Sequence, residues 1–501
     1  MDFIQEKKLD KQQKAIDHAM DFIKKKGEHS TKSRWYPVYH IAAPTGWIND
    51  PNGFCFFAGK YHLFYQYHPY SAQWGPMYWG HVISEDLVHW KNVRVALAPV
   101  DEYDKDGCFS GSAITKDGKL YLLYTGHVNL PLDEKTEVDR IESQCLAISY
   151  DGITFEKIAR NPVIHCPKGD NIHKGHFRDP KMWQHDEHYY TVIGAQNSKE
   201  RGQVLLFEST DLEQWTFKSI MASCSGNEGY MWECPNFVEV DGQEVFIFSP
   251  QGIEPEDKKF LNHHQSGYML GKLDYESGIF HHGAFELLDY GFDFYAPQVI
   301  QAPDGRCIMI GWLAMWESEM PEQEDGWAGI MTIPRELHME NGKLKICPIQ
   351  EMENLREQSR VYENIELYEA DSLDGISGEF GELLTVMDLS GTETMQINLR
   401  CSSEEETVLS YDKRKQIFSL DRNCAGKGPK GQREIKIGLQ NNCLKLRIFI
   451  DKSSIEIFLN DGEAVLSARI YPNKESSRII FSPGGGKLRL TQVAFYSLSS
   501  S

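Results

Sequence analysis

Three acidic residues each stand shortly before a turn and an apolar run: Asp50 in Asn49-Asp50-Pro51, Asp179 in Arg178-Asp179-Pro180 and Glu233 in Glu233-Cys234-Pro235. The runs that follow are Tyr61 to Tyr67, Tyr189 to Ala195 and Val245 to Ser249. Two further segments share the layout without an acid, Phe109-Ser110-Gly111 ahead of Leu120 to Thr125 and Tyr295-Ala296-Pro297 ahead of Cys307 to Trp312. Carboxylates gathered in one place can supply a nucleophile, a proton donor and a stabiliser of positive charge. Other chemistries are poorly provided for. No serine, histidine and aspartate grouping suggests acyl transfer, and His127, His173 and His176 match no standard metal-ligand spacing. Taken singly, Asn49 to Gly53 is a set of turn-formers, Asp179 beside Arg178 is an ion pair and Glu233 is a surface glutamate. Their matching places in separate repeats argue for more, because chance turns and ion pairs have no reason to coincide.

The elements that must position these acids are repeated. Gly59-Lys60, Asp117-Gly118, Asp186-Glu187, Asp241-Gly242 and Asp304-Gly305 each separate two strand-like runs in the manner of hairpin turns. Their spacing of roughly sixty residues implies a multi-stranded blade. Three units carry a second element: Ser84-Glu85-Asp86 leading to Trp90, Ser149-Tyr150-Asp151 to Phe155 and Ser209-Thr210-Asp211 to Trp215, where the acid caps a turn and the aromatic fills the gap between sheets. Antiparallel units that close into a ring protect their edges, which predicts a propeller of about five blades with its innermost strands around a channel. The three acids then face one another across it.

The 501 residues divide into three regions. Residues 1–34 form a helical extension, with Ile16, Met20 and Ile23 on one face over about 10–26 and the cluster Lys24-Lys25-Lys26 at its end. Residues 35–345 hold the repeats. Residues 346–501 begin with a short helical linker, with Met352 and Leu355 on one face, and continue as alternating strands: Met395 to Leu399, Glu434 to Ile437, Leu444 to Ile450 and Ser454 to Leu459, with turns at Asn460-Asp461-Gly462 and Gly484-Gly485-Gly486. The fold class is therefore all-β, a five-bladed β-propeller followed by a C-terminal β-sandwich, with a short N-terminal helix. With 52 Lys and Arg against 73 Asp and Glu, the formal charge of −21 excludes a phosphate backbone as partner, so no nucleic acid is expected. No apolar run reaches the length of a membrane span, and the charged start lacks a signal-peptide core. The 11 cysteines, odd in number and without a Cys-x-x-Cys pair, fit free thiols in a reducing compartment. The expected location is the cytoplasm.

Trp47-Ile48-Asn49-Asp50-Pro51-Asn52-Gly53, Phe109-Ser110-Gly111-Ser112, His176-Phe177-Arg178-Asp179-Pro180, Trp232-Glu233-Cys234-Pro235 and Asp293-Phe294-Tyr295-Ala296-Pro297-Gln298 occur in the order found in glycoside hydrolase family 32, the β-fructofuranosidases, and the chain resembles that family. Ile450 to Phe458 is similar to its C-terminal sandwich, so the resemblance spans nearly the whole chain. Length, N-terminal helix and missing secretion signal are most similar to the intracellular bacterial members that act on sucrose 6-phosphate. The resemblance implies cleavage of a fructosyl bond with retention, with Asp50 as nucleophile, Glu233 as acid/base and Asp179 as stabiliser of the transition state. It implies a fructosyl site of Trp47, Asn49, Gln66, Trp74, Phe109, Ser110 and Arg178, with Tyr295 and Trp312 as further wall residues. Burial beside Trp232, Cys234 and Asp50 is expected to favour the protonated form of Glu233, and Arg178 the charged form of Asp179.

No metal or organic cofactor is implied, and the partner is a small disaccharide, sucrose 6-phosphate or sucrose. A homo-oligomer stays open, and so do an exo-enzyme acting on fructans and a non-catalytic sugar-binding propeller. His173 and Lys174 are the sequence candidates for a phosphate contact.

Overall fold

The computed structural model describes residues 3–131, 138–169 and 171–500, with side chains from residue 9 onward. Five antiparallel sheets follow one another in the chain. Their first strands are Gly46–Phe57, Gly107–Lys116, Phe177–His185, Met231–Val240 and Tyr295–Gln301, and each pairs with the strand after it, Lys60–His68, Lys119–Asn129, His188–Gln196, Gln243–Gln251 and Cys307–Trp312. The five first strands stand side by side in a ring, the last against the first, so the sheets are the blades of a propeller. Closure is reinforced where Trp327–Ala328, reached from the fifth sheet, pairs in parallel with Gly46 and Trp47 of the first.

Ala58 and Gly59, Asp117 and Gly118, and Asp241 and Gly242 all have positive φ, as the tight turn between twisted strands requires. Two turns differ from the expectation. The first is centred on Ala58-Gly59, because Phe57 pairs with Lys60. The fifth spans Ala302 to Arg306, since Gln301 pairs with Cys307 and the Ala302 amide donates to the Arg306 carbonyl over 2.8 Å. The serine–acid elements are capped turns: Asp86, Asp151 and Asp211 each accept two amides two and three residues on, at 2.7–3.1 Å.

The N-terminal helix is longer than its periodicity predicts, running from Phe3 to Thr31. It continues through Gly27, where a Cβ would stand 2.9 Å from the Pro44 side chain, so Lys24 to Lys26 lie exposed inside the helix and not at its end. Ile16 and Ala19 are buried against the propeller. The linker is a 3-10 turn, Gln350–Leu355, anchored by buried Met352 and Leu355. Beyond it, a six-stranded and a five-stranded sheet pack around Leu383, Ile397, Leu409, Phe418, Ile448 and Ile457. All 11 cysteines are unpaired, and no described helix is long and apolar enough to cross a membrane.

Buried charges join sandwich to propeller. His40 lies between Asp451 at 2.8 Å and Glu456 at 2.9 Å, and Arg335 reaches Glu456 at 2.5 Å and Asp289 at 2.9 Å. Arg422 holds Asp293, two residues before Tyr295, at 2.6 Å. Burial opposes charge on His40, but Asp451 and Glu456 outweigh it and raise its pKa to about 9; against burial, Asp451 is held below its usual range by His40 and the Val38 and Lys452 amides, and Glu456 by Arg335 and His40. A raised His pKa contributes stability that is complete below its unfolded value of about 6.5 and lost as pH rises through 9. His40→Gln is therefore expected to cost about 3 kcal/mol near neutral pH and to remove the decline in apparent Tm expected of the native protein between pH 6.5 and 9. Equal pH slopes in thermal scans of the two proteins would contradict this.

Candidate active site

Each first strand carries a β-bulge at the level of the candidate residues. Register slips between Ile48 and Pro51, Phe109 and Gly111, Arg178 and Lys181, Glu233 and Asn236, and Tyr295 and Gln298. The extra residue breaks the in–out alternation and re-aims a side chain, and three of the bulges place proline where no ladder amide is needed. Asp179, Cys234 and Ala296 precede those prolines with φ of 67°, 46° and 50°, a conformation that non-glycine residues hold only where surroundings enforce it. This alignment shifts two of the acids by one position each, so the three do not share one place: Asn49 stands at the place of Asp179 and Asp50 at that of Pro180. Cys234, and not Glu233, occupies the place of Asp179, while Glu233 corresponds to Arg178 and Tyr295, the last paired residues before their bulges.

Those three equivalent residues meet. Arg178 donates from Nε and Nη2 to Glu233 Oε1 at 2.9 and 2.7 Å, and the Tyr295 hydroxyl donates to Oε2 at 2.6 Å. Asp50 Oδ2 accepts from Ser110 Oγ at 2.7 Å and Oδ1 from Asn49 Nδ2 at 3.0 Å, while Trp47 Nε1 donates to Asn49 at 2.8 Å. The Cys234 amide donates to Asp179 at 3.0 Å, and its sulfur stands 3.4 Å from Asp50 and 3.6 Å from Asp179. Gly194, paired with Arg178, permits this approach, since a Cβ there would lie 2.2 Å from the Trp232 carbonyl oxygen.

Burial and the charge of Glu233 raise the pKa of Asp50 in spite of its three hydrogen bonds. The same two causes lift Asp179 well above the carboxylate range, so the expectation that Arg178 keeps Asp179 charged does not hold: the guanidinium bonds Glu233 and, at 3.3 Å, Glu142. Glu142 is the opposite case. Burial works against its charge, yet Arg178, His127 and the Phe177 amide hold it down at about 2. Burial and neighbouring carboxylates push the Tyr295 phenol and the Cys234 thiol well up, leaving both as neutral donors.

These residues open onto a cavity of about 370 Å³ lined by Asn49, Asp50, Gln66, Trp74, Phe109, Ser110, Arg178, Asp179 and Glu233 among the residues expected from sequence. Trp74 is 48% exposed at the rim and stands edge-on to Phe109, which stacks on His127 at 4.0 Å. Trp47, Tyr295 and Trp312 lie behind the wall, where they support Asn49, Glu233 and, through Trp47, the exposed side of the tryptophan cluster with Trp316. Arg140, Glu142, His176, Tyr230, Gln251 and Trp316 complete the lining and were not foreseen as a site. The one signal for Glu142 is the polar run Glu142-Ser143-Gln144 ahead of the apolar Cys145 to Ile148 in the strand Arg140–Ser149. His173 and Lys174 are not lining residues; the His173 ring rests 5.1 Å from that of His176, which is. Among the described residues no group of three or more His, Cys, Asp or Glu side chains is arranged to hold a metal ion.

Residues 40–348 match the N-terminal domain of glycosyl hydrolases family 32 and residues 351–497 its C-terminal domain. The chain belongs to glycosyl hydrolases family 32. It is 42% identical over 464 residues to a sucrose-6-phosphate hydrolase of Escherichia coli, covering 93% of this chain and 95% of that one. It is 41% identical over 465 residues to a raffinose invertase of the same species, with the same coverage. Among solved structures, a family 32 beta-fructofuranosidase of Bombyx mori superposes with a TM-score of 0.85 at 36% identity, over 97% of this chain and 99% of that one. The family 32 fold, propeller plus sandwich, is thus the frame that holds the cavity.

Proposed function

We propose that this family 32 enzyme is a retaining β-fructofuranosidase that cleaves the fructosyl bond of sucrose 6-phosphate, and also of sucrose, to release fructose. The observation that carries the reading is the pairing of Asp50 on the first blade with Glu233 on the fourth, on one cavity, with Asp179 between them. Asp50 attacks the anomeric carbon C2, forming the C2–Oδ bond as the bond to the glucosyl oxygen breaks, and Glu233 gives that oxygen its proton. Water then attacks C2, Glu233 takes the water's proton and Asp50 is released. Asp179 binds the fructosyl hydroxyls. The carboxylate of Asp50 on the cavity wall suits the positive charge that develops at C2. Tyr295 orients Glu233, with Trp47 and Asn49 doing the same for Asp50.

Arg140 is the second guanidinium on the cavity wall, and its ion partner Asp139 is half-exposed, so it can turn to a phosphate. We assign it, in place of His173 and Lys174, to the glucosyl 6-phosphate. A cytoplasmic enzyme is consistent with a substrate that is phosphorylated on entry. Relatives at about 40% identity that act on sucrose 6-phosphate favour this reading over a fructan-degrading one.

Asp50→Asn and Glu233→Gln are expected to lose kcat on sucrose by at least about a thousandfold with thermal unfolding unchanged; full activity in either sinks the mechanism, and intact sugar binding without any native turnover would mark a binding module. Ser110→Ala removes a bond that favours charged Asp50, so the acid limb of kcat/KM should move up by roughly half to one pH unit. A limb that stays in place contradicts the role of Asp50. Arg140→Gln should lower kcat/KM for sucrose 6-phosphate by about tenfold or more while sucrose changes less than about twofold; an equal loss on both substrates would rule out a phosphate contact, and equal native rates on a short inulin fragment would favour the fructan reading.

A further inference from the structure

A fourth carboxylate, Glu142, lies on the cavity wall outside the trio that the fructosyl-transfer chemistry uses. It is 2% exposed and comes from the third strand of the second blade, Arg140–Ser149. Its Oε2 accepts the Phe177 amide at 2.8 Å and Arg178 Nη1 at 3.3 Å, and its Oε1 lies 3.3 Å from His127 Nδ1. The other edge of the same guanidinium, Nε and Nη2, is given entirely to Glu233. Arg178 is therefore shared between two buried carboxylates from different blades. A guanidinium that faced Glu233 alone would bind the charged carboxylate strongly and deprive it of the proton that a departing alkoxide needs.

We propose that Glu142 is a charge-compensating positioning residue: it takes up the positive charge of Arg178 from the far side, so that Glu233 can keep its proton while bonded to that guanidinium. The inference rests on the assignment of Glu233 as the proton donor. Its surroundings are consistent with a permanent negative charge at this place. On its own strand stands Arg140; from the neighbouring strand comes His127; His176 and Arg178 face it from the third blade, with Cys166 beyond; Glu233 and Asp179 lie past Arg178. His176 is held neutral, with a pKa of about 3 through burial and the charge of Arg178, so its Nδ1 accepts from Arg178 Nη1 at 3.1 Å and cannot substitute for the charge of Glu142. Phe109, stacked on His127, ties the same cluster to the cavity floor.

The test is the pH dependence of kcat/KM on sucrose for the native enzyme, Glu142→Gln and Glu142→Asp. Glutamine keeps the size and the hydrogen bonds but removes the charge. The alkaline limb, where the proton donor is lost, should then move to lower pH by about one unit or more, while the acid limb and the apparent KM at low pH stay within about twofold. Aspartate keeps the charge and should leave the alkaline limb in place even if kcat falls. A uniform loss of activity in Glu142→Gln with an unmoved alkaline limb would overturn the proposal and leave Glu142 a structural contact. If the glutamine variant does not fold, the aspartate variant decides: an alkaline limb displaced there, with the charge retained, would overturn it. Turnover that survives Glu233→Gln would instead defeat the assignment of the proton donor, an outcome separable from either of these.

Discussion

The innermost strand of a propeller blade has an edge that no neighbouring strand can pair in full, because adjacent blades splay away from one another. Its amides and carbonyls must nevertheless be satisfied at the centre of the molecule. Here the stitches are side chains reaching from blade to blade: the Met182 amide donates to Ser112 at 2.9 Å, the Asp179 amide to Thr125 at 2.9 Å, the Ala296 amide to Ser249 at 3.2 Å, and Asn236 bonds the Pro297 carbonyl at 2.8 Å. The channel is polar for this structural reason before any catalytic one. Bulges on the same strands then turn a few of those polar side chains toward the open end. Acids placed there are buried, hydrogen-bonded and close to one another, the three conditions under which carboxylates acquire different proton affinities.

Charge balance within the cavity follows from that crowding. Burial and Glu233 keep Asp50 and Asp179 above the usual carboxylate range, and Glu142 is driven to about 2 by its partners. One guanidinium spans the second and fourth blades through Glu142 and Glu233, so the site depends on the ring being closed and correctly spaced. The sandwich contributes at a distance: Arg422 and the Arg469 amide fix Asp293 at 2.6 and 2.8 Å, just ahead of the strand that carries Tyr295 to Glu233. Rigid ends on the fifth blade hold a hydroxyl in line with a carboxylate oxygen.

Much of this was legible in the chain. Asp117-Gly118 and Asp241-Gly242 announce hairpins because their backbone needs residues tolerant of positive φ. The serine–acid turns are local hydrogen-bond devices and follow from sequence alone. Residues that depend on tertiary placement were harder to read. Aligned on their prolines, Arg178-Asp179-Pro180, Glu233-Cys234-Pro235 and Tyr295-Ala296-Pro297 already put Glu233 in the place of Arg178, and matching acid to acid hides this. Ala302 to Arg306 close a longer connection than Asp304-Gly305 suggests. Trp47, Tyr295 and Trp312 carry the aromatic signal of a sugar wall, but depth within a blade is not encoded in residue type, and they support the wall from behind. Glu142 lies on a third strand, so only the twist of the second blade brings it to the axis.

The central claim is that Asp50 forms a covalent bond to the fructosyl unit. The direct measurement is peptide mass spectrometry on Glu233→Gln acid-quenched during turnover of β-fructosyl fluoride, whose leaving group needs no proton. A fructosyl adduct on the peptide containing Asp50, absent in Asp50→Asn, is the predicted result; an adduct on the peptide containing Asp179, or turnover with none, would contradict it.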